Sequence, residues 1–405
     1  MVLNPSNMFS SIIIQKAFGQ HLIDNRSSYN NSVNNIGRMN FKYFNLTNNT
    51  RDSVYPRIAA FGNNVYVVWQ QLVSPITYER YSSSASSIAN EVNYDIFIKK
   101  SSDRGITFGK AVNLSNSSGF SEHPHLAVYG NNVYVTWIDN NTSTNYKEIL
   151  FRKSNDGGKT FGNIVHLHSF GSANNNNGGD VIFGNSSNPE ISAFRNNVYV
   201  VWNEEPPKYN INDTNPFVYR ILFRASIDGG STFKNIKTLS DNVTYFSYPK
   251  ITASSINNDR DVFVVWNIGF PIYDAHKNVE GIFFTRSSDN GESFSNLAKI
   301  SGPIKSIGKP QISSYGNNIY VVWGGIPDFR IGGNVFYTKS AGNDHRFTNP
   351  VSINNNKSSN VEVATNKDKA YALWEEIDSQ TNDDIFIKTS NDGGQTFTKD
   401  AIHKQ

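Results

Sequence analysis

The chain has 405 residues and a mass of 45.3 kDa, with 38% hydrophobic and 13% aromatic residues, a profile typical of many short strands joined by polar loops. Its formal net charge is +3 without a long basic run, so the electrostatic footprint of a nucleic-acid-binding protein is not visible. The absence of cysteine excludes disulfides, thiol catalysis and cysteine-ligated metal sites.

The N-terminal region reads as an arm that precedes the folded unit. A short apolar patch at 8–14 is followed by a stretch rich in Asn and Ser, and we expect residues 1–40 to be flexible. No basic residue precedes the patch, so a cleavable signal peptide has little support. Since no apolar run approaches the roughly 18–20 residues of a membrane-spanning helix, we expect no membrane insertion.

Six repeats follow the arm, and each contains a strand-like segment that ends in Trp. The segments end at Trp69, Trp137, Trp202, Trp266, Trp323 and Trp374. These are all the Trp residues of the chain, and their mean spacing is about 61 residues. Because the residues before each Trp are apolar at successive positions, the strands are predicted to be covered on both faces.

The same order of elements recurs in every repeat. A first strand opens at a proline, as at Pro56, and the Trp strand follows after a turn; a third strand such as Asp95–Lys99 and a fourth such as Ala111–Leu114 complete the unit. Four antiparallel strands repeated six times predict an all-β, six-bladed β-propeller over residues 41–405. The helical patterns of 10–15 residues that a doubly wound α/β fold needs are not found.

A further strand-like segment, Phe41–Thr47, lies before the first repeat and is similar to Lys110–Ser115. We predict that this segment pairs with the last blade and closes the ring, which would hide sheet edges that otherwise invite aggregation. The C-terminal segment Ala401–Lys404 competes for the same position, and the sequence leaves that choice open.

Between the third and fourth strands lies a turn with the pattern Ser-x-Asp-x-Gly-x-Thr-Phe, here called the aspartate turn. Complete copies begin at Ser101, Ser154, Ser226 and Ser390; the copy at Ser287 has Ser in place of Thr, and Ser340–Phe347 has lost the pattern. We interpret it as a self-contained turn in which Asp accepts backbone N–H groups, Gly takes a positive φ and Phe packs into the blade.

Neither a metal site nor a cofactor is predicted. One carboxylate per aspartate turn is too few for calcium, which binds six to eight oxygens. His123 and His125 flank a proline, but no third zinc ligand is evident beside them.

The aspartate turns resemble Asp-box (BNR) repeats, and residues 41–405 resemble a six-bladed propeller of the sialidase superfamily. The resemblance implies that the turns lie on one rim and that the long loops lie on the opposite rim, where sialidase-like families place their active sites. It also implies an Arg triad, an Asp acid/base and a Tyr nucleophile. Arg57 matches the placement of the first Arg, whereas the corresponding positions of other repeats hold Lys250 and Gln311, and no Tyr opens the sixth repeat.

Equivalent polar residues follow the proline position of the six first strands. They are Arg57, His125, Glu190, Lys250, Gln311 and Glu362. We predict that they form a ring around the mouth of the central channel and bind the ligand, since convergent polar groups suit a hydroxyl-rich molecule. In the alternative interpretation, these groups only pair with one another around a water-filled axis.

Candidate catalytic residues are Arg57 and the carboxylates that follow the Trp strands, namely Asp139, Glu205 and Glu375. Two carboxylates from different blades would act as acid and base if they lay roughly 5–9.5 Å apart.

The sequence favours a secreted or cell-surface propeller, monomeric, that binds a glycan or a surface protein on its long-loop rim without catalysis. The alternative is a sialidase-like glycoside hydrolase with a divergent active site. A purely structural repeat domain in an envelope assembly is the third hypothesis.

Overall fold

The computed structural model describes residues 45–74, 93–140, 146–168, 184–205, 218–244, 247–253, 261–268, 280–306, 308–316, 318–326, 333–340, 346–354, 356, 358–367, 369–377 and 383–398. The regular elements in these ranges are β-strands arranged in six antiparallel sheets, which confirms the predicted all-β propeller architecture. Across the same ranges, no helix has the length and apolar character needed to cross a membrane.

The first three sheets, blades 1 to 3, each contain four strands in chain order. Blade 1 consists of β1 (Ser53–Phe61), β2 (Asn64–Leu72), β3 (Tyr94–Ser101) and β4 (Val112–Asn113). Blade 2 consists of β5 (Ser121–Tyr129), β6 (Asn132–Asn140), β7 (Lys147–Ser154) and β8 (Val165–His168). Blade 3 consists of β9 (Asn185–Phe194), β10 (Asn197–Glu205), β11 (Val218–Ser226) and β12 (Lys237–Thr244).

The remaining sheets vary in strand number. Blade 4 consists of β13 (Lys250–Ala253), β14 (Val262–Ile268), β15 (Gly281–Ser287) and β16 (Ala298–Lys299). Blade 5 has an additional short strand and consists of β17 (Lys305–Ser306), β18 (Gln311–Tyr315), β19 (Asn318–Ile326), β20 (Asn334–Ser340) and β21 (Val351–Ser352). Blade 6 consists of β22 (Ser358–Asn366), β23 (Lys369–Ile377) and β24 (Asp383–Ser390), so three of its four predicted strands lie in the described residues.

The core consists of apolar layers shared between neighbouring blades. Trp137 lies in one layer with Tyr66 and Val68 of blade 1, and Trp202 lies in the next with Tyr134 of blade 2. Trp266, Trp323 and Trp374 likewise pack against the blades that precede them. Both faces of an inner sheet are therefore buried, which explains why the Trp strands are apolar at successive positions.

The interface between blade 6 and blade 1 differs from the other five. Trp69 of blade 1 is buried, whereas Ile385 and Ile387 of β24 are 71% and 36% exposed. In blade 1 the equivalent residues of β3, Ile96 and Ile98, are 0% and 3% exposed, and the fourth-strand segment packs on them. A fourth strand is the element that would cover the exposed pair in blade 6.

The aspartate turn of blade 3 shows why its residue pattern is needed. The Asp228 carboxylate accepts hydrogen bonds from Ser226 Oγ, Thr232 Oγ1 and the Thr232 N–H at 2.7, 2.6 and 2.9 Å. Gly230 has φ +75°, and a Cβ on it would lie 2.7 Å from Phe151 of blade 2. The turn is thus both an internally bonded unit and a contact with the preceding blade.

The Phe of the aspartate turn packs into its own blade, as predicted, since Arg224 Cζ lies 6.0 Å from the ring centroid of Phe233, and it also contacts the preceding blade. Phe233 meets Phe151 edge-on with ring centroids 5.0 Å apart, and Phe294 meets Phe223 in the same way at 5.0 Å. Phe347 keeps this contact, with Phe284 at 4.9 Å, although the turn of blade 5 has lost its sequence pattern.

A hydrogen bond from an Arg or Lys of the third strand to a backbone carbonyl in the fourth-strand segment of the preceding blade recurs in blades 2, 3 and 6. Arg152 donates to the Leu114 carbonyl at 2.7 Å, Arg224 to Leu167 at 2.8 Å and Lys388 to Ile353 at 2.6 Å. In blade 1, Lys99 donates to the carbonyl of Leu46 at 2.7 Å. Leu46 therefore occupies the position that a fourth-strand residue of blade 6 would have.

This bond supports the predicted closure by Phe41–Thr47, which stays a prediction because residues 41–44 lie outside the described residues. The competing segment Ala401–Lys404 also lies outside them, as does the arm at 1–40.

Removal of residues 1–47 is expected to destabilise the protein by at least about 2 kcal/mol, since Lys99 loses its acceptor and the edge at Ile385 and Ile387 stays uncovered. Thermal or urea unfolding measures the loss. Removal of residues 1–40 is the control and should leave the unfolding midpoint unchanged. A large loss on removal of 401–405, with none for 1–47, would assign the closure to the C-terminal segment instead.

Candidate functional site

Strand register defines two rims of the propeller. In blade 1, Phe61 pairs with Asn64 and Val65 pairs with Ser101, so the first turn and the aspartate turn lie at one end of the sheet. Ser53 pairs with Gln71, which pairs with Asp95, so these three residues mark the opposite, long-loop end. Arg57 lies between the two ends of the inner strand β1.

A β-bulge precedes the ring position in the inner strands of blades 1, 2, 3 and 6. Tyr55, His123, Asn188 and Asn360 have φ of 53°, 52°, 49° and 48°, each two residues before a ring residue. Pairing is shifted in register at this point in β1, β5 and β22. The bulge bends the strand and re-aims its side chains, a device common next to binding sites.

The structure brings four of the predicted ring residues into one chain of contacts. Arg57 Nε donates to His125 Nε2 at 3.3 Å, and His125 Nδ1 lies 3.1 Å from Glu190 Oε2. The other oxygen of Glu190 accepts from Lys250 Nζ. Inner strands of blades 1 to 4 are thus connected side chain to side chain around the axis.

These contacts fix the protonation of His125. Its Nε2 accepts from Arg57, so in the neutral ring the proton sits on Nδ1 and is donated to Glu190. Burial, opposed by Glu190, lowers the pKa of His125 to about 4, which keeps the ring neutral at pH 7. Burial alone would raise the pKa of Glu190, but His125 and Lys250 outweigh it and lower that pKa to about 2.

The remaining two ring residues contact each other, because Gln311 Nε2 donates to Glu362 Oε1 at 3.0 Å. Glu362 is exposed, yet the protein around it reduces the hydration of its carboxylate, which raises its pKa. Glu190 adds to this rise, whereas Lys250 and Arg57 oppose it. Arg57 of blade 1 thus acts electrostatically on Glu362 of blade 6.

A second set of residues lies two positions before the ring, nearer the long-loop rim. This upper tier consists of Tyr55, His123, Asn188, Tyr248, Lys309 and Asn360. Tyr55 and His123 contact each other with ring centroids 4.5 Å apart, and Lys309 Nζ lies 4.2 Å from the centroid of Tyr248. Together, the ring and the upper tier are called the mouth below.

The other proposed catalytic carboxylates lie in three different settings. Asp139 is 7% exposed and accepts from Ser117 Oγ and Ser121 Oγ at 3.1 and 2.6 Å, so its described contacts are with serines and not with the ring. Glu205 ends β10, where it pairs with Asn185. Glu375 accepts from Asn360 Nδ2 at 2.7 Å and therefore lies beside the upper tier.

Sequence reasoning missed the upper tier, apart from His123. The sequence signal for this tier is the residue before the first-strand proline, and that proline is present in five of the six repeats.

Within the described ranges, no group of three or more His, Cys, Asp or Glu side chains is arranged to hold a metal ion.

No family model matches the chain, and neither does any curated protein sequence. Solved structures resemble it in fold. A polysaccharide lyase of family PL25, an ulvan lyase, has a TM-score of 0.50 at 11% identity, with 84% of this chain and 79% of the lyase covered. At this identity, the resemblance shows the fold alone.

Two glycoside hydrolases resemble the chain more loosely. The α-L-arabinofuranosidase of Fusarium graminearum has a TM-score of 0.49 at 13% identity, covering 83% of this chain and 92% of that enzyme. The Trypanosoma rangeli sialidase has a TM-score of 0.48 at 13% identity, covering 84% of this chain. The chain spans 54% of the length of that sialidase.

The variant Glu190→Gln tests the ring's electrostatics. Because the pKa of Glu190 is lower in the folded than in the unfolded state, its ionised form stabilises the fold above the ordinary value of 4.5, and this contribution disappears as the pH falls toward about 2. It amounts to about 3 kcal/mol at most. We expect urea unfolding of the variant to depend less on pH in this window than unfolding of the wild type.

The exposed pair of Glu292 with Lys234 supplies the control for this measurement, since a surface pair contributes little. Glu292→Gln should keep the wild-type pH dependence. If the free energy of unfolding of Glu190→Gln and of the wild type fell in parallel as the pH is lowered, Glu190 would not be held ionised by His125 and Lys250.

Proposed function

We propose that the protein is a secreted or cell-surface propeller, monomeric, that binds a glycan at the mouth. The observation that carries this proposal is the convergence of two tiers of polar and aromatic side chains from different blades on one opening. The ring residues Arg57, Glu190 and Lys250 and the upper-tier residues Tyr55 and Tyr248 contribute to it.

The composition of the mouth suits a sugar for two reasons. Charged and amide groups of the ring present donors and acceptors in alternation, which matches a ring of hydroxyl groups. Tyr55 is 47% exposed at the long-loop rim, and Tyr248 is partly exposed, so each offers ring surface for packing against the apolar face of a sugar. A protein ligand would need no such alternation of polar groups around a narrow axis.

Long connections at the same rim support the proposal. The segments at 75–92, 206–217 and 269–279 follow the ends of Trp strands β2, β10 and β14. Connections of this length on a rigid scaffold are where binding specificity usually resides.

A glycan array, followed by calorimetry on the best binder, tests the proposal. We expect Tyr55→Ala and Tyr248→Ala to weaken binding by roughly fivefold to tenfold each, because they remove exposed aromatic faces at the mouth. Ile106→Ala is the matched control: Ile106 is 70% exposed on the aspartate turn of blade 1, at the opposite rim, and its loss should leave affinity unchanged. Binding that survives both tyrosine changes, or capture of a protein instead of any glycan, would refute a glycan site at the mouth.

A glycoside hydrolase is the second candidate, and the ring itself favours it. Glu190 and Glu362 occupy one mouth, and their pKa values are shifted in opposite directions. In such a pair, Glu362, whose pKa is raised, is the candidate acid, and Glu190, whose pKa is lowered, is the candidate ionised carboxylate. We therefore choose Glu190 and Glu362 over Asp139 as the candidate pair, because the described contacts of Asp139 are with buried serines and not with residues of the mouth.

Turnover of a panel of aryl glycosides decides between the two functions. A hydrolase should lose at least about 100-fold of kcat in Glu362→Gln, since the acid can no longer protonate the leaving group. Glu292→Gln is the control, because Glu292 lies on the aspartate turn of blade 4, at the opposite rim. Glycan binding by the wild type without turnover of any glycoside would establish the binding module.

A further inference from the structure

A groove between blades 1 and 2 opens at the aspartate-turn rim, opposite the mouth. It lies between the outer strands of blade 1 and the aspartate turn of blade 2, with a volume of about 460 Å³. Three lysines line it, and it is called the lysine groove below: Lys100 of β3, Lys110 before β4 and Lys159 of the turn. A groove of this size can hold a few residues of a peptide.

Lys100 differs from the equivalent lysines of two other blades, which also stand directly before the Ser of the turn pattern. In blade 2, Lys153 Nζ donates to Ser231 Oγ of the next aspartate turn at 2.7 Å. In blade 5, Lys339 Nζ donates to the Gly393 carbonyl of the next aspartate turn at 2.8 Å. In both blades, the lysine is therefore used to connect its blade to the following one.

The same bond is not made from blade 1 to blade 2. The Gly157 carbonyl, which corresponds in sequence to that of Gly393, accepts from Tyr66 Oη at 3.2 Å. A Cβ on Gly157 would lie 3.1 Å from Lys100 Nζ, so the ammonium lies against this turn. Among the residues that the structure describes, Lys100 has no hydrogen-bond or ion-pair partner, and its ammonium lies 5.8 Å from the centroid of the Tyr66 ring.

A second cation stands where Lys100 would find a side-chain acceptor. Ser231, which accepts from Lys153 in blade 3, corresponds in sequence to Lys159 in the turn of blade 2. Lys159 and Lys110 are both exposed, and neither forms an ion pair in the described ranges. Three ammonium groups without an anionic partner thus line one groove.

The aspartates of the two adjacent turns are bonded within their own turns. Asp103 lines the groove, and its carboxylate accepts from Ser101 Oγ and Thr107 Oγ1 at 2.6 and 2.5 Å. Asp156 of blade 2 is bonded in the same way. Because neither carboxylate forms an ion pair with a lysine of the groove in the part of the chain described, a ligand anion can form charge-assisted hydrogen bonds there.

We propose that the lysine groove binds an acidic peptide segment of a protein partner, whose carboxylates pair with Lys100 and Lys159. This site lies at the rim opposite the mouth and does not depend on the proposed glycan site. The N-terminal arm of the chain is not the occupant, because residues 1–40 contain one acidic residue and three Lys or Arg residues.

An extended peptide fits the lysine groove for two further reasons. β4 is the last strand of its sheet, so its outer edge has no strand partner in the described part of the chain and offers backbone groups to a peptide. Val112 of β4 is 37% exposed and lines the groove beside its paired residue Ile98, which gives an apolar side chain a surface to pack on. A sulfated sugar would use the lysines but not the strand edge.

An array of acidic hexapeptides tests the inference. It combines Asp and Glu with one Val, Leu, Ile or Phe in every order, and a matched array replaces each acidic residue by Asn or Gln. Fluorescence anisotropy on the full chain should show binding of acidic peptides that falls as salt rises, and weaker binding of the neutral ones. Lys100→Gln and Lys159→Gln should each weaken binding of the best acidic peptide by about threefold to fivefold, since each removes an exposed ion pair.

Two further variants and a modified peptide make the result specific. Lys153→Gln removes the equivalent lysine of blade 2, which is bonded to the turn of blade 3, and should leave peptide affinity unchanged. Lys100→Arg keeps the charge and should retain most of the affinity. Methylation of the backbone nitrogens of the best peptide should weaken its binding by about fivefold or more, because hydrogen bonds to the edge of β4 are lost.

Failure of every acidic peptide to bind, or unchanged binding by the double variant of Lys100→Gln and Lys159→Gln, would overturn the inference. Undiminished binding of the methylated peptide, or tighter binding of sucrose octasulfate with the same dependence on the two lysines, would assign the groove to other polyanions and overturn the peptide site. Glycan binding at the mouth should be the same in Lys100→Gln and the wild type, so each proposal can fail without the other.

Discussion

Packing of one blade against the next is the interaction on which the rest of the structure depends. The Trp strands bury apolar residues on two faces, and the aspartate turns of blades 3, 4 and 6 place their Phe on the preceding blade. Such a sheet has no stable exposed face, so the blades must continue until the last one meets the first. Hydrogen bonds from Arg152, Arg224 and Lys388 of the third strands to carbonyls of the preceding blades also connect neighbours, and Lys99 of blade 1 forms the equivalent bond with Leu46.

The mouth is a consequence of this arrangement. Inner strands of different blades bring residues that are distant in sequence to one axis, as the contact between Arg57 and His125 shows. In four of the six inner strands, a bulge precedes the ring position and separates two successive tiers of side chains, one charged and one partly aromatic. The different surroundings of Glu190 and Glu362 shift their pKa values in opposite directions, which equips one scaffold for binding or for acid–base chemistry.

Much of the fold was predictable because it repeats. Trp spacing and successive apolar residues indicated six sheets covered on both faces, and the position after the proline located the ring. The upper tier was harder to predict, because Tyr55 is a bulky residue that gives no local signal for a positive φ, unlike Asn188 and Asn360. The partners of the carboxylates were also hard to predict, because the sequence does not show which side chains surround Asp139 and Glu190. The packed sheets place Asp139 beside serines and Glu190 between His125 and Lys250.

The central claim is that blades 1 and 6 are neighbours around one axis. The chain lacks cysteine, so Asn63→Cys, Asn131→Cys and Lys367→Cys can be introduced in pairs at the first turns of blades 1, 2 and 6 and spin-labelled without background. Pulsed EPR should give a distance between positions 63 and 367 that equals the distance between 63 and 131. A 63–367 distance far longer than the 63–131 distance would mean an open stack of sheets and would contradict the account.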